Sequence, residues 1–147
     1  MALLSAGTAA PTFKGINITG PEINLENYKG KKTVVLVFSP DRVTPPEINS
    51  VKTLYAKVRE KAEIITVARK IPSNSVSMTK MFMKELGANF PTLYDPSQAV
   101  FKLYGVENPV AVFIIDANGN VVYSAQTDPN KVDLKALEEA IAENVKS

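Results

Sequence analysis

The chain has 147 residues, 45% of them hydrophobic and 22% charged, with no histidine, cysteine or tryptophan. That length suffices for one domain with its own core, while the missing His and Cys exclude the usual zinc, iron–sulfur, copper and haem ligand sets, disulfides, and Ser-His-Asp or Cys-His nucleophiles. The 17 basic and 15 acidic residues leave a net charge of +2 with no nucleic-acid footprint, and no apolar run approaches the ~20 residues of a membrane span.

Residues 1–10, MALLSAGTAA, have the small residues of a signal-cleavage region but neither a charged start nor a full apolar stretch. They read as a flexible N-terminal tail, with the stump of a trimmed export signal as the alternative, and residues 11–147 read as one domain. The protein is expected to be soluble, either cytoplasmic or exported after signal removal. Residues 11–28 are short alternating pieces broken by Gly15 and Gly20-Pro21, which fits two small strands or extended segments joined by turns. The polar turn Tyr28-Lys29-Gly30-Lys31-Lys32 leads into TVVLVFS, 33–39, a near-continuous apolar run of the kind buried on both faces of a sheet.

After PDRVTPPE, the residues Ile48, Val51, Leu54, Tyr55 and Val58 recur at helical spacing, and the pattern ends near Lys61. EIITVAR, 63–69, is a second buried strand. The next helix places Met78, Met81, Phe82 and Leu86 on one face, with Gly87 after its end. Met78, Met81 and Met83 are expected to fill the core, with one of them exposed.

Residues 89–106 predict a short strand, an Asp95-Pro96 turn and a helix of about two turns ending at Gly105. VAVFIID, 110–116, is the third buried strand, and Asn118-Gly119 joins it to VVYSAQ, 121–126, as a hairpin. A last helix begins near Asp133 with Leu134, Leu137, Ile141 and Val145 inward. The order predicts an α/β fold of the thioredoxin type: a mixed central β-sheet, parallel through its βαβ opening and antiparallel at its closing hairpin, with helices on both faces.

Five blocks in chain order carry a resemblance: AP-x-F at Ala10 to Phe13, L-x-x-YKGKK-x-VVLVFSP from Leu25 to Pro40, NFPTLYDP from Asn89 to Pro96, KLYGV from Lys102 to Val106, and FIID-x-NG from Phe113 to Gly119. Together they resemble the peroxiredoxin superfamily, of the alkyl hydroperoxide reductase / thiol-specific antioxidant type, and the neighbouring thioredoxin-like reductases. The resemblance implies a peroxide-reducing thiol in the motif Pro-x-x-x-Thr-Pro-x-Cys after the first long buried strand. Here that stretch runs from Pro40 through Thr44 and Pro45 to Glu47, so Glu47 stands at the thiol position. It also implies an arginine before the third strand, where Val110 or its neighbour Ala111 stands, while Pro109 is one residue out of register with the reductases' cis-proline. Pro40, Thr44, Pro45, Glu47, Pro109 and Val110 then outline a vestigial pocket with no catalytic residue.

Glu47 has an economical structural reading. Thr44 as N-cap, Pro45 at the first helical position and Glu47 three residues after the cap form a capping box, with the carboxylate at the positive end of the helix dipole. The functional alternative is an anion resembling a sulfinate-oxidised cysteine, offered to a cation or a basic partner. Asp41 and Arg42 read as a surface charge pair, and the Lys29–Lys32 turn as ordinary turn chemistry. The sequence thus supports a redox-inactive interaction module that takes no cofactor or metal and binds an unknown protein partner, with a homodimer as a further expectation. The alternative is an antioxidant thiol peroxidase, if the chain is an altered form of a cysteine-containing enzyme.

Overall fold

The structure is a computed structural model that describes residues 4–18, 20–38, 45–58, 60, 62–68, 76–85, 87, 90–95, 97–106, 111–126 and 139–143, with side chains at all of these except 45–51, 76, 82 and 126. A two-residue pair, β1 (Lys14–Gly15) and β2 (Ile23–Asn24), precedes a 3-10 turn at Leu25–Tyr28. There follow β3 (Thr33–Phe38), α1 (Pro45–Val58), β4 (Ala62–Ala68), α2 (Val76–Glu85), β5 (Thr92–Tyr94), α3 (Ala99–Leu103), β6 (Ala111–Ile115) and β7 (Val121–Gln126), and residues 139–143 are again helical. The helix starts expected near Asp133 and its residues Leu134, Leu137 and Val145 lie outside the described residues; Ile141 is buried as expected.

The five main strands run β5-β4-β3-β6-β7. β3–β4 and β4–β5 are parallel, β3–β6 and β6–β7 antiparallel, which is the mixed sheet the element order predicts. All six side chains of β3 are buried, because a central strand between parallel and antiparallel neighbours is covered on both faces. Its period of two sends Val34, Leu36 and Phe38 into one cluster and Val35 and Val37 into the other. The second cluster holds Leu54 and Val58 of α1 with Ala140 and Ile141 of the C-terminal helix. The crossovers β3–α1–β4 and β4–α2–β5 step the same way across the sheet, so their right-handedness lays α1 and α2 on that same face. Tyr55 of α1 accordingly meets Phe90, just beyond α2, edge-on, with ring centroids 6.3 Å apart.

Two expectations need correcting. Residues 4–10 do not behave as a free tail: Gly7 and Ala10 donate backbone N–H groups to the carbonyls of Val121 and Gly119, Val121 donates to Thr8, and Leu4 donates to Tyr104 and packs on the first cluster. Residues 16–18 then bond to the outer edge of β5, through Tyr94 N–H to Ile16 and Ile18 N–H to Thr92. The N-terminal segment is therefore a strap from one edge of the sheet to the other, its backbone groups satisfied by edges that composition does not reveal. The second correction concerns α2. Met78 and Met81 are exposed, at 61% and 64%, and the inward stripe is Thr79 and Met83, at 5% and 3%. Residues four apart share a helix face, and the neighbours, not the residue chemistry, decide which face is covered.

Candidate functional site

The thiol position expected from the sequence lies where β3 hands over to α1. Pro45 opens α1, which puts Pro45, Pro46 and Glu47 in its first turn, the place where a proline without an N–H costs nothing and an acidic residue meets the helix dipole. Pro40, Thr44, Pro109 and Val110 lie outside the described residues, as does the side chain of Glu47. The frame around them is described: Phe38, the last residue of β3, pairs with Ala111, the first of β6. Phe38 and Ala111, which border segments 39–44 and 107–110 in the sequence, therefore adjoin at one end of the sheet.

Beneath that end lies an aromatic cluster. Phe38 meets Phe101, Tyr104 and Phe113 at centroid distances of 5.0, 5.7 and 5.5 Å, and Tyr104 meets Phe113 at 5.1 Å and Phe13 at 6.0 Å. Edge-to-face packing of this kind is favourable beyond the area it buries. Tyr104 has no exposed surface, and its hydroxyl donates to the Pro11 carbonyl at 2.7 Å. Burial pushes its phenol well above the ordinary value, so near neutrality the group is a fixed hydrogen-bond donor and no acid–base catalyst.

Asp95 is the other buried polar residue close by, 6% exposed. Its two carboxylate oxygens accept the N–H groups of Ala99, Val100 and Phe101 at 3.1, 2.8 and 3.2 Å. The whole carboxylate is spent on the start of α3. Gln98, in the left-handed region at φ 61, sets the entry to this helix, and Gly105, at φ 68, ends it, so the two turns expected shorten to the five residues Ala99–Leu103. Asp95 is thus more than the turn residue its place before Pro96 suggests, and an aspartate four residues ahead of an apolar helix is the sequence signal for this capping role.

At the opposite end of the sheet, a shallow groove open to solvent runs between the strap and the strand ends, lined by Leu25, Tyr28, Lys29, Lys32, Val34 and Asp116 among others. Gly30 holds its turn at φ 80 and donates to the Ala117 carbonyl at 2.6 Å. One oxygen of Asp116 accepts the N–H groups of Asn118 and Asn120, so the Asn118-Gly119 hairpin is closed by an aspartate. Glu63, opposite Val34 in the β3–β4 register, has one buried carboxylate oxygen with no hydrogen-bond partner. Burial first, and then the charge of Glu63, push the phenol of Tyr28 up. Among the described residues no three acidic side chains come together as a metal ligand set, and no helix is long and apolar enough to cross a membrane.

The AhpC/TSA family model matches residues 6–124, from the strap to β7. The chain belongs to the AhpC/TSA family. Within it, the chain is 30% identical to the thiol-disulfide oxidoreductase ResA of Bacillus anthracis over 134 residues, covering 90% of this chain and 76% of the relative. It is 28% identical to alkyl hydroperoxide reductase E of Mycobacterium tuberculosis over 149 residues, covering 95% and 97%. In fold it superposes on the mitochondrial 2-Cys peroxiredoxin of Plasmodium falciparum with a TM-score of 0.80 at 20% identity, over 94% and 92% of the two chains. The thiol chemistry named in these relatives uses cysteine sulfur, and this chain has no cysteine at any position.

Proposed function

We propose that this chain is a non-catalytic member of the AhpC/TSA family that acts by binding a protein partner. One observation carries the reading: none of the 147 residues is a cysteine, and Glu47 stands in the first turn of α1 where the resemblance calls for the thiol. Peroxide reduction needs a sulfur that becomes a sulfenic acid and is then reduced by a second thiol. A carboxylate supplies neither step. On this reading Glu47 closes the capping box with Thr44, and the former pocket of Pro40, Thr44, Pro45, Glu47, Pro109 and Val110 is a surface of the scaffold.

The test is peroxide consumption by the purified chain with thioredoxin or a dithiol as electron donor, alongside insulin reduction for disulfide exchange. The expected rates equal those of heat-inactivated protein, and turnover above that control in either assay overturns the reading. A second reading, an antioxidant thiol peroxidase, is favoured by the similarity to alkyl hydroperoxide reductase E and requires a form of the protein that carries the cysteine. It predicts that Glu47→Cys restores turnover with the same donors.

A further inference from the structure

With no cysteine in the chain, its only sulfur atoms are those of four methionines. Three of them, Met78, Met81 and Met83, fall within two turns of α2, and the fold treats them differently. Met83 is buried, whereas Met78 and Met81 keep more than half of their surface in water. Met1 lies outside the described residues. Methionine is ordinarily a buried residue, and at an exposed helical position leucine supports the backbone equally well. What distinguishes the outer pair is the thioether itself.

Met78 and Met81 are three residues apart and so neighbours on one helix face. Charges of both signs surround them, Lys80, Lys84 and Glu85 all being exposed, so a neutral oxidant approaches without a charge barrier. Thr79 and Met83 form the inward stripe of the same helix. Chemistry on the outer pair therefore leaves the packing of α2 untouched.

We propose that Met78 and Met81 form a reversible oxidation site for hydroperoxides, each taking up one oxygen while Met83 is spared. The thioether lone pair attacks the distal peroxide oxygen: an S–O bond forms, the O–O bond breaks, and the proton of the distal oxygen passes to the leaving oxygen. Sulfur loses two electrons and the peroxide gains them, giving a sulfoxide and an alcohol, or water where the oxidant is hydrogen peroxide. The exposed apolar face of α2 becomes a polar one, and both sulfoxides stay within reach of methionine sulfoxide reductases. The reaction is stoichiometric and ends when the methionines are spent. It supports no turnover with a thiol donor, and it stands whether or not the former thiol position is catalytic.

Peptide mass spectrometry of the full folded chain during exposure to excess hydrogen peroxide tests it. Trypsin cleavage after Lys80 separates Met78 from Met81 and Met83, and fragment ions resolve the latter two. Met78 and Met81 are each expected to gain one oxygen at least roughly tenfold faster than Met83, which reacts only when the helix opens. In denaturant the three rates are expected to converge. The chain oxidised at the outer pair is expected to keep its circular dichroism, and the two methionine sulfoxide reductases, one for each epimer, are expected to remove both oxygens. Met83 reacting as fast as the outer pair in the folded chain overturns the proposal. So does an outer methionine that resists oxidation, a loss of ellipticity when only the outer pair is oxidised, or a sulfoxide that the reductases leave in place. Replacing both outer residues, Met78→Leu with Met81→Leu, is expected to keep the fold and to lower peroxide uptake by one oxygen for each methionine removed; unchanged uptake also overturns it.

Discussion

Replacing Tyr104 by Phe removes one oxygen from the most enclosed part of the molecule and keeps the ring. The hydroxyl ties the strap to the core through the Pro11 carbonyl at 2.7 Å, while the ring contacts with Phe13, Phe38 and Phe113 survive the change. A hydrogen bond of this kind contributes about 0.5–1.5 kcal/mol net. Pro11 is half-buried, so water can reach its carbonyl and the loss stays within that range. Equilibrium denaturation near neutral pH should show Tyr104→Phe less stable by about 1 kcal/mol, or roughly 3 °C in Tm. The alkaline limb gives a second reading. Because the folded-state phenol is pushed above its unfolded value, its contribution is intact below about pH 10 and is lost as pH rises from there toward the folded value. Each such group costs about 1.4 kcal/mol per pH unit in that window. Between about pH 10 and about pH 11 the wild type should therefore lose roughly 1 kcal/mol more than the Phe variant, Tyr28 and the remaining tyrosines being common to both. Parallel stability curves across this range would refute the assignment of Tyr104 as a buried donor.

Further changes test other parts of the account. Asp95→Ala strips three N–H groups at the start of α3 of their acceptor and should cost about 2–4 kcal/mol in urea denaturation, a loss that Asp95→Asn recovers only in part. Met83→Ala should cost about 2–5 kcal/mol and Met81→Ala under about 0.5 kcal/mol in the monomer; the reverse order would put the other face of α2 inward. Glu47→Gln should cost under about 1 kcal/mol and leave partner capture from extract unchanged, as a capping residue requires; loss of a partner with the fold intact would assign the carboxylate to recognition.

The three long strands were legible in the sequence because TVVLVF, EIITVA and AVFII are runs too continuous for a half-exposed strand, and βαβ connectivity then leaves few sheet orders open. The candidate site was legible only as a position. The Pro-Pro-Glu opening of α1 follows from local backbone preferences, whereas the surroundings of Glu47 depend on segments far apart in the chain. The roles of Tyr104 and Glu63 are not legible in the sequence, because a polar residue's role depends on which backbone groups or cavities the fold brings to it, and periodicity carries no such information.

Sequence by itself determined the element order, the mixed sheet, membership of a scaffold family and the absence of the sulfur that family chemistry requires. Those properties are local or compositional: runs, spacings and a missing residue type. Tertiary structure alone decided that residues 7–10 dock along β7 and the hairpin before it, and that α2 turns Thr79 and Met83 inward. Each of these depends on what stands across the gap, since a helix with apolar residues on two sides buries the one its neighbours leave room for, and an unpaired strand edge takes whichever chain segment reaches it.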